Sequence, residues 1–296
     1  MAVPAQPALP DPPPVRLALP KGRMQQGVCD LLAAAGVRVE ATARGYRPHV
    51  SLAGYEAKFL KPQNIVEMLA HGSRDVGFAG ADWVAELDAD LVRLVDTGLD
   101  PVRLVAAAPR ALLADERWRG HPLTIASEYE RLTRRWIARE GLDARFVRTY
   151  GATEVFPPED ADLIVDNTAT GGTLAANGLL VIDTLMESST GLYAHPAALD
   201  DPARRRRIEH LVVVLESVLA ARSRALVEVN VPAACLDAVI AALPCMREPT
   251  LAPLHGGAGF AVRAAVPRHR LAEVIPEIKA RGGTDVLVTA PEQIVP

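Results

Sequence analysis

Ala161 to Gly178, A-D-L-I-V-D-N-T-A-T-G-G-T-L-A-A-N-G, is the stretch that most narrows the fold. Leu163 to Val165 read as a short apolar strand that ends at Asp166. Thr168, Thr170, Gly171, Gly172 and Thr173 then make a turn of small residues. A helical pattern from Leu174 to Asn177 follows, and Gly178 can stop it. Strand, loop and helix in this order predict an α/β fold. The plainer reading of the loop is a tight turn with an N-capping threonine. The sharper one is an anion site, because glycines let the backbone approach closely and free N–H groups at a helix start carry partial positive charge. Asp166 favours the sharper reading. An acid at the C-terminal end of a strand is where ribose hydroxyls sit in nucleotide-binding α/β folds. Phosphate on the loop and hydroxyls on the acid describe a sugar phosphate.

The rest of the chain supplies further α/β units. Val15 to Leu19 alternates as a strand, Met24 to Ala35 has helical spacing, and Lys21 and Arg23 stand at the turn between them. That turn is another place for an anion, held by charge, or simply two solvated basic residues. The segment 44–59 reads as irregular with strand-like pieces. Pro62 opens a helix to His71, with proline at its first turn. Asp75-Val76-Gly77-Phe78-Ala79-Gly80-Ala81-Asp82 then gives a strand, a glycine and a helix start. Val92 to Val95 and Val102 to Ala107 read as two strands, with Asp96 to Pro101 as a loop rich in turn residues. Ser127 and Glu130 have capping-box spacing before a helix whose face carries Arg131, Arg134, Arg135 and Arg139. Leu179 to Leu185 and Met186 to Ala194 read as two strands. A long helix, Asp201 to Arg222, starts with the basic run Arg204 to Arg207.

From Ala225 onward the rhythm changes to strand, helix, strand, strand, helix, strand. That is the ferredoxin-like βαββαβ order, a small module added to a complete α/β body. The chain's 296 residues suffice for both. A net charge of −4 supplies no global basic field for nucleic acid or a membrane surface. No apolar run reaches the ~18 residues of a membrane helix. Met1 to Pro14 holds six prolines and reads as a disordered tail without the apolar core of a signal peptide. Cys29, Cys235 and Cys245 form no C-x-x-C pair, and reduced thiols in a cytoplasmic protein are expected. The seven histidines form no catalytic triad and no metal-binding cluster in the sequence.

Three separated runs resemble one family. D-N-T-A-T-G-G-T-L-A-A-N-G-L resembles the phosphoribosyl-diphosphate loop of ATP phosphoribosyltransferases, and L-P-K-G-R-M resembles their opening motif. P-x-M-R-E-P-T-L-A-P-L resembles the C-terminal domain of their long form. The resemblance implies a two-lobed, periplasmic-binding-protein-like catalytic body followed by a ferredoxin-like regulatory domain. It implies a tail at 1–14, lobe I at 15–101 with 186–222, lobe II at 102–185, and the regulatory domain at 223–296. It implies ATP, 5-phosphoribosyl diphosphate and Mg²⁺ as reactants and cofactor, histidine as feedback inhibitor, and dimers assembling into hexamers.

Residue by residue, the resemblance sets Lys21 and Arg23 facing nucleotide and diphosphate. It sets Gly77, Gly80 and Asp82 along the cleft, and Glu154 in a G-x-x-E element. Asp166, Thr168, Thr170, Gly171, Gly172 and Thr173 fall on the substrate loop, and Thr250, Leu251 and Pro253 near the histidine site. No protein nucleophile is implied. The chain departs from the family at Ala57-Lys58-Phe59-Leu60-Lys61-Pro62, where many members carry Arg-x-x-Asp. Arg44, Lys58 and Lys61 are therefore candidates without an assigned role. A second departure is Pro157 to Asp160, one residue shorter than the family signature. Two other readings fit the same pattern: a two-lobed small-molecule-binding protein, and a non-catalytic regulatory subunit on the same scaffold.

Overall fold

The computed structural model describes residues 13–40, 45–115 and 118–295. Most of the expected N-terminal tail, and Arg44, lie outside them. The chain divides into two compact units: Met1–Asp30 with Val37–Glu209, and Leu31–Gly36 with His210–Pro296.

In the first unit, β1 (Val15–Pro20) leads into α1 (Arg23–Ala34). Two short strands, β2 (Val39–Glu40) and β3 (His49–Val50), pair with each other. Then come β4 (Tyr55–Leu60), α2 (Pro62–Ala70), β5 (Val76–Gly80) and α3 (Ala81–Glu86). The long β6 (Val92–Pro109) runs into α4 (Arg110–Leu113). After it, β7 (Leu123–Ser127), α5 (Glu130–Glu140) and β8 (Ala144–Arg148) precede β9 (Leu163–Thr168) and α6 (Gly172–Ala176). A second long strand, β10 (Leu179–Ala194), is followed by α7 (Pro196–Asp200) and α8 (Pro202–Arg222), of which the part from His210 onward, like the end of α1 from Leu31, is assigned to the second unit.

These strands form one eight-stranded sheet in the order β4-β1-β5-β10-β6-β9-β7-β8. Its two ends mirror each other. β4, β1 and β5 are parallel at one end, and β9, β7 and β8 at the other. β6 and β10 run antiparallel down the middle. Apolar residues fill each half: Ile65, Val66, Leu69 and Tyr193 on one side, and Ile125, Tyr129, Trp136 and Leu163 on the other. The second unit carries β11 (Arg224–Val231), α9 (Leu236–Ala242), β12 (Thr250–Pro253), β13 (Phe260–Pro267), α10 (Leu271–Ala280) and β14 (Thr284–Thr289). Its sheet order, β12-β13-β11-β14, is antiparallel throughout and is the expected ferredoxin-like arrangement. Val227, Val229, Val262, Val274 and Ile278 form its core.

Three local expectations are corrected. Asp96 to Pro101 is not a loop, nor does the chain break at Leu185. Each lies inside one strand, β6 or β10. The turn residues are absorbed as bulges, with Gly98 and Asp100 at positive φ. Cross-strand bonds hold them in place: Thr97 Oγ1 donates to Thr190 O at 2.6 Å, and Thr190 Oγ1 donates to Asp100 Oδ2 at 3.1 Å. Second, 55–60 is a regular strand, because it pairs with β1 residue for residue from Val15↔Tyr55 to Pro20↔Leu60.

Third, the Ser127–Glu130 capping box does not form. Ser127 Oγ donates to Val165 O and accepts from the Tyr129 N–H. Glu130 instead pairs with Arg134 and Arg148. The cap comes from another helix: the Glu86 carboxylate, on α3, accepts from the N–H groups of Arg131 and Leu132 at 2.9 and 3.0 Å. The arginines of α5 are paired with Asp88, Glu130, Glu140 and Asp183. The basic start of α8 is likewise compensated. Asp201 accepts from the Ala203 and Arg204 N–H groups, and Arg204 reaches buried Asp75 at 3.4 Å.

Glu86 is buried and bridges the two halves of the sheet through α3 and α5. Replacing it by alanine strands two helix N–H groups, so Glu86→Ala is expected to destabilise the protein by about 2 kcal/mol. Glu86→Gln, which keeps an acceptor, is expected to recover much of that loss. Urea unfolding of the two variants beside the wild type measures both effects.

Candidate active site

Two pairs of parallel strands, β1 with β5 and β7 with β9, run in opposite directions and turn their carboxyl ends toward one place. β1 ends at Pro20 before Lys21 and Arg23. β5 ends at Gly80 before Asp82. From the other half, β7 ends before Glu128 and Tyr129, and β9 runs through Asp166 and Asn167 into the threonine loop. The crevice beyond the carboxyl ends of parallel strands is the general ligand position in such sheets. Here it is a cleft of about 350 Å³ lined by Lys21, Arg23, Gly80, Asp82, Glu128 and Asn167, among others. Val102, Ser188 and Ser189 separate it from an adjoining hollow of about 470 Å³, which reaches Arg93, Arg103 and Ala169 of the loop.

The wall between the halves is a buried hydrogen-bond chain. Asn167 Nδ2 donates to the Tyr129 hydroxyl at 2.9 Å, and that hydroxyl donates to Asp82 Oδ2 at 2.7 Å. Ser188 Oγ donates to Asp82 Oδ1 at 2.8 Å and accepts from the Asp82 N–H at 3.0 Å. Asp82 is only 5% exposed, so these bonds replace the water its carboxylate has lost. The Tyr129 ring stacks on Trp83, with centroids 4.7 Å apart. Burial, reinforced by Asp82, pushes the Tyr129 hydroxyl far above its ordinary titration range, so it is a fixed donor.

The threonine loop is preformed by its own side chains. Thr168 Oγ1 accepts from the Gly171 N–H at 2.9 Å, and Thr170 Oγ1 from the Gly172 N–H at 3.4 Å. Gly171 sits at φ +80°, which an L side chain rarely adopts. The helix begins at Gly172, two residues earlier than its apolar pattern. Thr170, Gly172 and Thr173 are exposed, and Gly171 is half-buried. Asp166, half-buried beside the loop, accepts from the Asn167 N–H at 2.7 Å. Burial raises its carboxyl to about 6, helped by the nearby charges of Glu154 and Glu128. Across the cleft, Lys21 Nζ rests 3.6 Å from the centre of the Tyr46 ring.

The structure thus brings Lys21, Arg23, Gly80 and Asp82 into one cleft, and puts Glu154 within electrostatic reach of Asp166. Gly77 does not line the cleft. It lies inside β5, where a Cβ would come within 2.9 Å of Ala18 Cβ and Ile65 Cγ2, so it serves close packing. Thr250, Leu251 and Pro253 lie on the exposed edge strand β12 of the second unit. Tyr129, Asn167, Ser188 and Glu128 had no role in the sequence reading. Asn167 follows Asp166 directly in the quoted motif. Ser188 and Tyr129 carry no local signal, since they reach Asp82 only through the sheet. Among the described residues, no three His, Cys, Asp or Glu side chains group closely enough to hold a metal ion. Nor is any helix long and apolar enough to cross a membrane.

Taken together, fold and cleft define a two-lobed α/β protein of the periplasmic-binding-protein-like class, with a cleft at the carboxyl ends of its parallel strands and a preformed threonine–glycine loop beside it. Comparison with known proteins supplies the family. The ATP phosphoribosyltransferase family model matches residues 61–217, and the C-terminal domain model of the same family matches 221–292. An ATP phosphoribosyltransferase of Pelodictyon phaeoclathratiforme is 33% identical over 277 residues, covering 92% of this chain and 94% of the relative. One from Pelotomaculum thermopropionicum is 33% identical over 287 residues, covering 95% and 99%. Among solved structures, a chain of the ATP phosphoribosyl transferase HisG:HisZ complex from Thermotoga maritima superposes with a TM-score of 0.59 at 26% identity. That match covers 68% of this chain and 98% of the other. The chain belongs to the ATP phosphoribosyltransferase family, in its long, two-domain form. Members are pentosyltransferases at the first step of histidine biosynthesis.

The raised Asp166 pKa has a definite consequence for stability. A carboxyl that binds its proton more tightly when folded adds stability below its unfolded value of 3.8. That contribution is lost as pH rises from there through about 6. Asp166→Asn removes the titration, so the variant should gain on the wild type steadily across this window and level off above it. Thermal unfolding of both proteins from pH 4 to pH 8 measures the difference; parallel curves would mean that Asp166 titrates normally.

Proposed function

We propose that the protein condenses ATP with 5-phosphoribosyl diphosphate, forming N1-(5-phosphoribosyl)-ATP and releasing diphosphate. The observation that carries this reading is one cleft with two unlike sides. Lys21 and Arg23 supply cations at one strand end, and Glu128 and Asn167 line the same cleft from the other half of the sheet, where Asn167 adjoins Asp166 and the threonine loop.

In this reading the threonine loop holds the 5-phosphate. Thr168 and Thr170 use lone pairs to shape the loop, which leaves each hydroxyl hydrogen free to donate to a phosphate oxygen. Gly171 and Gly172 give their N–H groups to the loop's own threonines, which leaves the Thr173 N–H at the helix start for the same anion. Asp166 is mainly ionised at neutral pH and accepts hydrogen bonds from the ribose hydroxyls. N1 of adenine attacks C1 of the ribose as the C1–oxygen bond to diphosphate breaks, and positive charge develops on the ring. Holding the two reacting atoms in line does more here than a protein nucleophile would. Lys21 and Arg23 offset the charge on the departing diphosphate. Asp82, fixed by Tyr129 and Ser188, keeps the adjoining wall rigid.

Mg²⁺ belongs to the proposal as a companion of the substrate's phosphates. Such ions are often held by one or two carboxylates plus phosphate oxygens rather than by a protein cage. Histidine inhibition through Thr250, Leu251 and Pro253 rests on the family resemblance of their segment. So do assembly of dimers into hexamers, a cytoplasmic setting and the lobe boundaries near 101, 185 and 222.

An absorbance assay with ATP, 5-phosphoribosyl diphosphate, Mg²⁺ and pyrophosphatase tests the reaction. Product is expected, and histidine is expected to suppress it. Asp166→Ala removes charge-assisted bonds to the ribose, so its KM for 5-phosphoribosyl diphosphate should rise roughly 10- to 100-fold. Unchanged kinetics would take Asp166 out of the site. Full inhibition of a Thr250→Ala/Leu251→Ala variant at the wild-type histidine concentration would take β12 out of the sensor. No product with intact ligand binding would favour a binding protein or a regulatory subunit.

A further inference from the structure

Along the edge strand β4 lies another polar hollow, of about 220 Å³. It is lined by Arg47, His49, Glu56, Lys58 and Arg74, with Tyr55 in its wall. None of its lining residues is shared with the cleft. Tyr55 faces Val15 at the start of the paired strands, whereas Leu60 faces Pro20 at the cleft end. The lining of the hollow runs along β4 from Tyr55 to Lys58, which stands two residue steps, about 7 Å, from Leu60.

The charges in this hollow do not balance. Arg47, Lys58 and Arg74 face a single carboxylate, Glu56. Arg74 is the unusual group. Its side chain is only 18% exposed, yet its one ion pair is to Glu56 at 3.6 Å, with no side-chain hydrogen bond to another described residue. A guanidinium carries five N–H donors, and a half-dry one without acceptors is costly. Burial, with Arg16 and Arg47 close by, pulls its pKa below the ordinary arginine value despite the opposing pull of Glu56 and Asp75. Asp75 offers no relief, because it is already engaged by Arg16 and Arg204. Arg47 and Lys58 have no acid partner among the described residues. Beyond Glu56, the N–H donors of these three side chains meet solvent, so they are available to an anion from outside.

We propose that this hollow is a binding site for a phosphate group, carried either as inorganic phosphate or as the head of a small phosphomonoester. The planar N–H fork of Arg74 suits two phosphate oxygens, and Arg47 and Lys58 close on the rest from the rim. His49 adds a further ring nitrogen. A dianion brings the formal charge of these four ionised groups, +2, to zero. The hollow is large enough for a phosphate and part of a sugar and too small for a nucleotide triphosphate to enter whole.

Equilibrium dialysis of the full chain against radiolabelled phosphate at low chloride is the test. On the function proposed above, the Thr168–Thr173 loop contributes its own equivalent, and because it follows β9 in the other half of the sheet, substitutions around the hollow leave it in place. Arg74→Gln is expected to remove one bound equivalent, or weaken it at least ten-fold. Because Arg74 is largely buried, the rim variant Arg47→Gln/Lys58→Gln provides a second measure that does not depend on how well Arg74→Gln folds. It is expected to weaken the same equivalent at least ten-fold. Wild-type phosphate binding in the rim variant overturns the proposal, as does a wild-type chain that binds phosphate at the loop alone. Competition by unlabelled ribose 5-phosphate, read as the difference between wild type and rim variant, separates the two sources. Displacement much stronger than by unlabelled phosphate assigns a phosphomonoester, and equal or weaker displacement assigns the free ion.

Discussion

β6 and β10 hydrogen-bond to each other from Val92↔Ala194 to Pro109↔Leu179, and the site hangs from this ladder. One half of the sheet attaches to β10 through β5, the other to β6 through β9. Each crossing strand carries bulges in its central part, where the ladder shifts register at Thr184/Met186 and Ser188/Thr190. A bulge bends the strand and turns a side chain out of the regular alternation. Asp100, Val102, Ser188, Ser189 and Thr190, all from this part, form the floor of the cleft. The same geometry that lets two long strands cross therefore delivers polar groups to the ligand space.

Asp82 ties that floor to both halves. Its carboxylate is fixed by a serine from β10 and by a tyrosine that follows β7. A buried acid with both oxygens satisfied is stable only while all its partners stay in place. Moving one half of the sheet against the other breaks at least one of those bonds. Glu86 imposes the same condition from outside, since its carboxylate belongs to α3 and the N–H groups it satisfies belong to α5. Two carboxylates, one in the wall of the cleft and one behind it, thus set the relation of the halves through hydrogen bonds that neither half can complete alone.

Much of this was legible in the sequence because it is local. The strand–loop–helix around Asp166, the turn after β1 and the βαββαβ order of the second unit all follow from spacing within a dozen residues or so. What was not legible depends on partners distant in the chain. Asp96 to Pro101 has turn composition, and only the bonds from Thr97 to Thr190 and from Thr190 to Asp100 make it strand. Ser127 and Glu130 have the spacing of a capping box, but Val165 O and Arg148 offer them better partners. Gly77 stands in a motif that resembles a cleft element, yet the close approach of Ala18 and Ile65 explains why it is glycine. Tyr129 drew no reading at all, because only the fold puts Asp82 beside it.

These misses are not scattered at random. Asp96 to Pro101, Ser127 and Tyr129 all sit on the elements that line or support the cleft. Local rules fail where a segment is bound by a longer-range requirement, and a binding site is such a requirement. Asp166 shows the same tension in electrostatic form. A carboxyl beside two others and partly dry is disfavoured as an anion, and the ligand-free protein bears that cost. In the proposed function, ribose hydroxyls that donate hydrogen bonds to Asp166 would offset that cost. Arg74, just before β5, is the cationic counterpart: a largely buried guanidinium whose one ion pair, to Glu56, is long at 3.6 Å, in a hollow whose charge one phosphate would neutralise.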